Sequence, residues 1–213
     1  MFRDRVEAGQ QLADRLSEYR NDARAIVLGV PRGGVVVAAE VARALGLPLD
    51  VLVVRKIGAP GNPEFAVGAV DERGNIVLNP MVQVPEEYVR AEAERQRAEI
   101  QRRLVDFRRG RPPLDLVGKT AILTDDGIAT GQTMLAAVAS VRAAGAGKVV
   151  VAAPVVAPDS ATRLRQAADE VVDISEPRFF AAVGEFYASF PQIEDDEVET
   201  VLEQAGTTAA GKG

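Results

Sequence analysis

The sequence predicts an α/β fold in which helices cover both faces of a parallel sheet. Short apolar runs without polar interruptions, such as residues 25–29 and 149–156, are typical of strands buried on both faces. Most of these runs are followed by a turn and then by a segment with apolar residues at helical spacing, which is the order of βα units. The chain has 213 residues, of which 47% are hydrophobic, so it can bury a three-layer, Rossmann-like core.

The first βαβ unit follows an amphipathic helix. Apolar residues recur at helical spacing in residues 2–16, which predicts a helix that packs on the body of the fold. Residues 25–29 then predict a strand, residues 35–45 a helix that ends at Gly46, and residues 49–55 a second strand.

An insertion separates the two halves of the core. Glycines and prolines make residues 58–63 a predicted loop, and residues 65–70 and 75–78 flank an Asp-Glu-Arg-Gly turn as a predicted hairpin. Residues 86–109 predict a charged helix with one apolar stripe, formed by Val89, Ala93, Ile100, Leu104 and Phe107. Two interpretations of this helix stay open: it packs as a flap against the core or a second subunit, or it is a solvated spacer.

The second half of the core repeats the order of strand, turn and helix. We predict strands at residues 120–125, 148–156 and 171–174, and helices at residues 133–144 and 159–168, the latter capped by Asp159. The chain is interpreted as one domain with a core at about residues 20–56 and 118–175, an insertion at 57–113, a hood at 176–205 and a frayed tail at 206–213.

The charge and the residue types exclude several classes of protein. The chain has 31 acidic and 25 basic side chains, and the net charge of -6 argues against nucleic-acid binding. Because it contains no cysteine and no histidine, it has no thiolate or imidazole chemistry, no disulfide and no zinc site with these ligands. A bound metal ion would have oxygen ligands, which favours Mg²⁺. No apolar run reaches about 18 residues, and no signal sequence is recognisable, so we expect a cytoplasmic protein without membrane contact.

The segment after the predicted strand at residues 120–125 is the most informative one. Asp125 and Asp126 end this strand, and the turn Ala-Thr-Gly-Gln-Thr at residues 129–133 leads into a helix. The N–H groups and the dipole at such a helix start attract a phosphate, and adjacent carboxylates accept hydrogen bonds from the hydroxyls of a ribose. The segment therefore predicts a receptor for a sugar phosphate at the carboxyl edge of the sheet; an ordinary βα turn with solubilising acids is the alternative.

Residues 122–133 resemble the phosphoribosyl pyrophosphate (PRPP) signature of type I phosphoribosyltransferases. Like that signature, they combine an apolar strand, two acids, two variable residues and Ala-Thr-Gly-x-Thr, although Thr124 occupies a place that is usually aliphatic. The resemblance implies the α/β fold of that family, and it implies that Asp125 and Asp126 hold the ribose hydroxyls. The 5′-phosphate would be bound by Ala129, Thr130, Gly131, Gln132 and Thr133.

A second segment resembles the pyrophosphate loop of the same family, above all that of xanthine-guanine enzymes. This segment, Val-Pro-Arg-Gly-Gly, follows the first predicted strand. Glycine lets a backbone approach an anion closely, and a guanidinium can bind two of its oxygens. The resemblance thus implies that Arg32, Gly33 and Gly34 bind the pyrophosphate group of PRPP.

A third segment, residues 55–58, resembles the Arg-Lys-x-Gly segment of adenine phosphoribosyltransferases. There the two cations face the pyrophosphate, which implies the same role for Arg55 and Lys56. We expect all three segments to follow the carboxyl ends of three strands of one sheet.

The resemblance implies an enzyme of nucleotide metabolism. It would transfer ribose 5-phosphate from PRPP to a small nitrogenous base and release pyrophosphate, with Asp125, Asp126, Arg55 and Lys56 as candidate catalytic residues. Mg²⁺ would be bound mainly through PRPP oxygens, so no side chain is assigned as a metal ligand. We also expect a homodimer and a mobile lid at residues 58–68, in which Glu64 either faces the ligand or is ordinary loop charge.

The acceptor base stays open. Oxopurine enzymes of this family have an aspartate at the position of Ala129 and a lysine after the next strand, where this chain has Val-Val-Ala-Pro. These differences argue against a 6-oxopurine, whereas alanine is normal in adenine and orotate enzymes. The hood aromatics either stack on the base or anchor the C-terminal segment to the core: Phe179, Phe180, Phe186, Tyr187 and Phe190. The alternative function is a non-catalytic sensor that binds PRPP or a nucleotide on the same fold.

Overall fold

The computed structural model describes residues 1–79 and 82–210, and its strands form two sheets. In chain order the strands are β1 (Ala25–Gly29), β2 (Leu49–Val51), β3 (Val54–Ala59), β4 (Asn62–Asp71), β5 (Ile76–Leu78), β6 (Thr120–Thr124), β7 (Lys148–Val155) and β8 (Glu170–Ser175). Five of them form a parallel sheet in the order β2-β1-β6-β7-β8. The other three form an antiparallel sheet in the order β3-β4-β5. The predicted α/β fold around a parallel sheet is confirmed.

Helices cover both faces of the parallel sheet. They are α1 (Arg5–Arg15), α2 (Gly33–Leu45), α3 (Glu86–Arg108), α4 (Gln132–Ala143), α5 (Pro158–Ala167) and α6 (Asp195–Ala210). The alternation along β6 shows the layers: Ile122 packs with residues of α1 and α2, while Ala121 and Leu123 pack with residues of α4 and α5. As predicted, α2 ends at Gly46, which has a left-handed φ of 69°. None of the helices in the described part of the chain is both long enough and apolar enough to span a membrane.

The predicted strand at residues 49–55 is divided in the structure. β2 ends at Val51, and β3 begins at Val54 in the antiparallel sheet. Leu52 and Val53, between the two strands, are buried. Because the apolar run continues through the break, the hydrophobic pattern gives no sign that the chain changes sheets there.

The predicted loop at residues 58–63 is mostly strand, and so is most of the segment predicted as a lid at residues 58–68. The function of the segment as a lid stays a prediction. Most of this segment belongs to the paired strands β3 and β4, where Ala59 lies opposite Asn62 and only two residues form the turn. Gly61 in that turn has a φ of 75°, which favours glycine. The register of the pairing between β3 and β4 shifts on both sides of Gly58. Glycine often marks such an irregularity within a strand. The side chain of Glu64 lies outside the described residues.

The second hairpin and the long helix of the insertion agree with the sequence. Asp71 Oδ1 accepts hydrogen bonds from the N–H groups of Arg73 and Asn75 and so shapes the turn between β4 and β5. All five apolar residues of the predicted stripe of α3 are buried, and they pack with residues of α2, β3, β4 and α6. Arg108, at the end of α3, forms ion pairs with Asp50 of β2 (3.1 Å) and Glu72 (2.9 Å). Of the two interpretations, α3 is the packed helix and not a solvated spacer.

Two terminal assignments differ from the sequence predictions. Ala157 occupies the cap position of α5, and Asp159 lies in its first turn without a capping hydrogen bond, because Pro158 starts the helix one residue earlier. α6 continues to Ala210, within the segment at residues 206–213 that is predicted as a tail. Residues 211–213 lie outside the described part.

Candidate functional site

The predicted phosphate turn and the predicted pyrophosphate loop lie side by side at the carboxyl edge of the parallel sheet. β1 and β6 are neighbours, with Gly29 opposite Thr124. The N–H of Val30 donates to the carbonyl oxygen of Thr124 over 2.9 Å. The chain therefore leaves both strands at the same level, and the structure brings together residues 30–34 and 125–133.

Gly33 and Gly34 leave no room for side chains beside the two aspartates. A Cβ atom on Gly34 would lie 2.8 Å from Asp125 Oδ1, and one on Gly33 would lie 1.9 Å from Asp126 Oδ2. The carboxylates thus rest directly on the first turn of α2, which carries the positive end of its helix dipole. Any larger residue would force the acids and the loop at residues 30–34 apart.

The turn between β6 and α4 presents most of its residues to solvent. Ala129, Thr130, Gln132 and Thr133 are exposed, whereas Gly131 is buried and has a left-handed φ of 69°. The N–H groups that begin a helix have no acceptor within it. The turn therefore combines exposed hydroxyls, main-chain donors and the positive end of a helix dipole, which are features that favour an anion.

Asp126 is paired inside the protein. Its Oδ2 accepts a hydrogen bond from Arg5 Nε over 2.7 Å, and the side chains of Asp126 and Arg5 are only 14% and 8% exposed. Tyr187 donates its hydroxyl to the main-chain oxygen of Asp126 over 2.5 Å. Sequence reasoning missed Arg5 because it lies 121 residues from Asp126, in a predicted amphipathic helix whose pattern carries no sign of the site. In this structure, a ribose hydroxyl would compete with Arg5 for Asp126.

The two aspartates share one arginine, so the group keeps an excess of negative charge. Burial raises the pKa of Asp125 well above its ordinary value, and the charge of Asp126 raises it further. Burial also raises the pKa of Asp126, although Arg5 opposes this effect. The N–H of Asp126 donates to Asp125 Oδ1 over 2.9 Å. Ionisation of Asp125 therefore lowers the stability of the folded protein more than ionisation of Asp126 does.

We expect Asp125→Asn to stabilise the ligand-free protein at neutral pH. A carboxyl whose pKa is higher in the folded than in the unfolded chain contributes less to stability as the pH rises from about 3.9 through the folded value. Each unit by which folding raises the pKa lowers the free energy of unfolding by about 1.4 kcal/mol once the carboxyl is ionised. Asparagine does not ionise and therefore avoids this loss of stability. Urea denaturation at weakly acidic and weakly alkaline pH should show an advantage of the variant that grows with pH. An advantage that does not change with pH would contradict the raised pKa.

Arg32 faces acids at the start of α6. Its Nη1 lies 3.2 Å from Glu194 Oε2 and 3.7 Å from Asp195 Oδ1, and the peptide bond that precedes Arg32 is cis. The side chain of Arg32 is about one-third exposed. An anion that binds there competes with these two carboxylates.

Arg55 and Lys56 come after β2 of the parallel sheet, but the two-residue break at Leu52 and Val53 separates them from that strand. Their role in anion binding stays a prediction. Both residues lie near the start of β3 in the antiparallel sheet. Arg55 donates from Nε to Gln96 Oε1 of α3 over 2.6 Å. The displacement follows from the break after β2, which moves the chain out of the parallel sheet before these residues.

The hood aromatics divide into packed and exposed residues. Tyr187 and Phe190 have ring centroids 4.9 Å apart, and the guanidinium of Arg5 lies 3.8 Å from the ring centroid of Phe190. They attach the C-terminal segment to the start of α1. By contrast, Phe179 is 91% exposed and would be available for stacking. Tyr187 and Phe190 are therefore packing residues, and stacking on a base stays a prediction, for which Phe179 is exposed.

Comparisons with known proteins show the family and the fold of the chain. A family model described as phosphoribosyl transferase domain matches residues 3–189. A protein of Mycobacterium tuberculosis (strain H37Rv), named "Putative phosphoribosyl transferase Rv0571c", is 48% identical over 217 residues; the match covers 100% of this chain and 49% of the relative. The chain thus spans about half the length of the curated relatives that it matches. The crystal structure of TT1426 from Thermus thermophilus is similar, with 48% identity, a TM-score of 0.87 and coverage of 96% of this chain and 98% of that one.

Proposed function

This chain belongs to the type I phosphoribosyltransferase family, and from that membership we infer that it transfers the ribose 5-phosphate unit of PRPP to a nitrogenous base and releases pyrophosphate. One observation supports this most: the start of α4, the two aspartates and the loop of Arg32 meet at one edge of the sheet. In that order they offer donors for a phosphate, acceptors for hydroxyls and a cation for a second phosphate group. PRPP carries its 5′-phosphate, its ribose hydroxyls and its pyrophosphate in the same order.

The proposed reaction exchanges one bond at C1 of the ribose. The C1–O bond to pyrophosphate breaks, its electron pair leaves with the pyrophosphate, and a nitrogen of the base forms the new bond to C1 and releases its proton to solvent. Positive charge develops on the ribose and negative charge on the leaving group. Asp125 and Asp126 would hold the hydroxyls beside the positive centre, and Arg32 would stabilise the departing anion.

Mg²⁺ fits this site as a cation carried mainly by the ligand. When bound, it would neutralise charge on the pyrophosphate and ribose oxygens. Among residues 1–79 and 82–210, no cluster of three acidic side chains could hold a metal ion by itself. Asp126 is already paired with Arg5, so the protein would add few ligands of its own. We propose that Mg²⁺ binds mainly through PRPP oxygens.

The nature of the base is a proposal drawn from Ala129 and the segment after β7. Neither Ala129 nor the Val-Val-Ala-Pro segment at residues 155–158 supplies an ionisable side chain that could bind a 6-oxopurine. We therefore propose a base other than a 6-oxopurine. We also propose a homodimer in the cytoplasm; sedimentation of the purified chain tests the first part, and fractionation of cells tests the second.

Release of pyrophosphate tests the proposed function. The purified protein is mixed with PRPP, Mg²⁺ and each member of a panel that includes adenine, orotate, hypoxanthine, xanthine and guanine. We expect turnover with at least one base, and with none of the oxopurines. Tight binding of PRPP without turnover across the panel would favour the sensor, and no binding of PRPP would contradict both functions.

Arg32→Ala should weaken the binding of pyrophosphate by about 10-fold or more, since a hydrogen bond to a charged group contributes about 1.5–3 kcal/mol. Binding of ribose 5-phosphate should change little, because its phosphate would bind at α4. Calorimetric titration with each ligand measures both effects. Arg24→Ala is the control, since Arg24 precedes β1 at the opposite edge of the sheet and pairs with Asp22. Equal losses for the two ligands would contradict the role of Arg32.

A further inference from the structure

Two residues of α5 hold the phosphate turn from its outer side. Ser160 donates its hydroxyl to the carbonyl oxygen of Ala129 over 2.6 Å. Arg163 donates from Nη2 to the carbonyl oxygen of Thr130 over 2.7 Å, and the same nitrogen lies 3.1 Å from Ser160 Oγ. Two successive carbonyl groups of the turn are therefore bonded to one helix.

The contact with Ser160 is close and buried. Ser160 is only 1% exposed. A Cβ atom on Gly131 would lie 3.2 Å from Ser160 Cβ and 3.3 Å from its Oγ. The turn thus rests directly on this serine, and it adopts the left-handed φ at Gly131 in that position.

The planarity of the peptide bond gives these contacts a consequence for the site. In a trans peptide the C=O of one residue points opposite to the N–H of the next. When the carbonyls of Ala129 and Thr130 point toward α5, the N–H groups of Thr130 and Gly131 must point away from it. Neither N–H donates to a main-chain carbonyl of the described residues. The N–H groups of Thr130 and Gly131 are thus donors that point to the side of the turn opposite α5.

We infer that Ser160 and Arg163 are positioning residues that orient the N–H groups of Thr130 and Gly131 toward the 5′-phosphate of the ligand. This inference rests on the proposed function, because it assigns the phosphate to this turn. The ligand class is a phosphomonoester dianion at the end of a sugar. Neither residue touches the ligand itself; each acts through a carbonyl group of the turn.

Ser160→Ala and Arg163→Ala should each weaken the binding of ribose 5-phosphate by about 10-fold. Each variant would misdirect an N–H group of the turn, and a well-directed hydrogen bond to a charged group contributes about 1.5 kcal/mol or more. The affinity for pyrophosphate should stay within a factor of about two, because that ligand would bind at Arg32. Arg163→Lys should restore part of the loss, since an ammonium can also donate to the oxygen of Thr130. The control is Arg165→Ala, on the same helix, because Arg165 pairs with Asp173 and Glu176.

A second readout is independent of the ligand. The amide NMR signals of Thr130 and Gly131 should shift in Ser160→Ala and in Arg163→Ala, but not in Arg165→Ala. If the wild-type chain binds ribose 5-phosphate and the two variants match it in affinity and in these signals, the positioning role is overturned. If the wild-type chain binds no ribose 5-phosphate, the proposed function fails, and the assignment of the phosphate to this turn fails with it.

Discussion

Replacement of Asp125 and Asp126 together by asparagine should reduce the affinity for ribose 5-phosphate by at least about 100-fold. Each carboxylate that accepts a hydrogen bond from a ribose hydroxyl contributes about 1.5–3 kcal/mol, and the double variant loses both. Calorimetric titration of the wild-type chain and the double variant measures the change. The two single variants then show which aspartate contributes more, a question raised by the pairing of Asp126 with Arg5.

The double variant needs a control for folding, because the two aspartates are packed against Gly33 and Gly34. Circular dichroism and the affinity for pyrophosphate serve this purpose, since Arg32 is unchanged. Retained affinity of the folded double variant for ribose 5-phosphate would contradict the assignment of the sugar to these acids.

The second large effect concerns Arg5. Arg5→Met should lower the free energy of unfolding by about 3–5 kcal/mol at neutral pH, because it leaves the two adjacent acids without their cation. The pKa of Asp126, already raised by burial, should rise further. The deficit should therefore shrink as the pH falls and the acids become protonated. Urea denaturation of the variant and the wild-type chain over a range of pH measures this difference in the free energy of unfolding.

A compensating variant separates charge from packing. Arg5→Met combined with Asp126→Asn should recover part of the stability, because the pair is then removed as a whole. Arg3→Ala is the control, since Arg3 forms an exposed pair with Asp4 that contributes at most about 1 kcal/mol. If the losses of the two single variants simply add in the double variant, the ion pair does not stabilise the fold as a unit.

The sequence predicted the elements whose pattern is local. The run at residues 25–29 coincides with β1, and the apolar stripe of α3 is buried along its whole length. A buried strand and an amphipathic helix each leave a periodic pattern within a few residues. The sequence also singled out the acidic turn and the glycines at residues 33 and 34, and the structure places them side by side. Their role in binding a ligand stays a prediction.

The remaining features depend on contacts between distant segments. The break between β2 and β3 lies inside a buried run, so the hydrophobic pattern could not reveal it. Arg55 and Lys56 follow this break and therefore lie in the antiparallel sheet. Arg5 meets Asp126 only because α1 lies beside the carboxyl edge of the sheet. The bonds from Ser160 and Arg163 likewise follow from the docking of α5, which no local pattern specifies.

The pairing of β3 with β4 has a consequence for how the insertion can move. Ile57 and Val67, one from each strand, are buried in the same apolar cluster as Ile100 of α3 and Val198 of α6. Opening this hairpin would break its main-chain hydrogen bonds and also expose that cluster to water. The amide hydrogens of the hairpin should therefore exchange with solvent in one cooperative opening that also involves α3. They should not exchange one residue at a time, as in an unstructured loop.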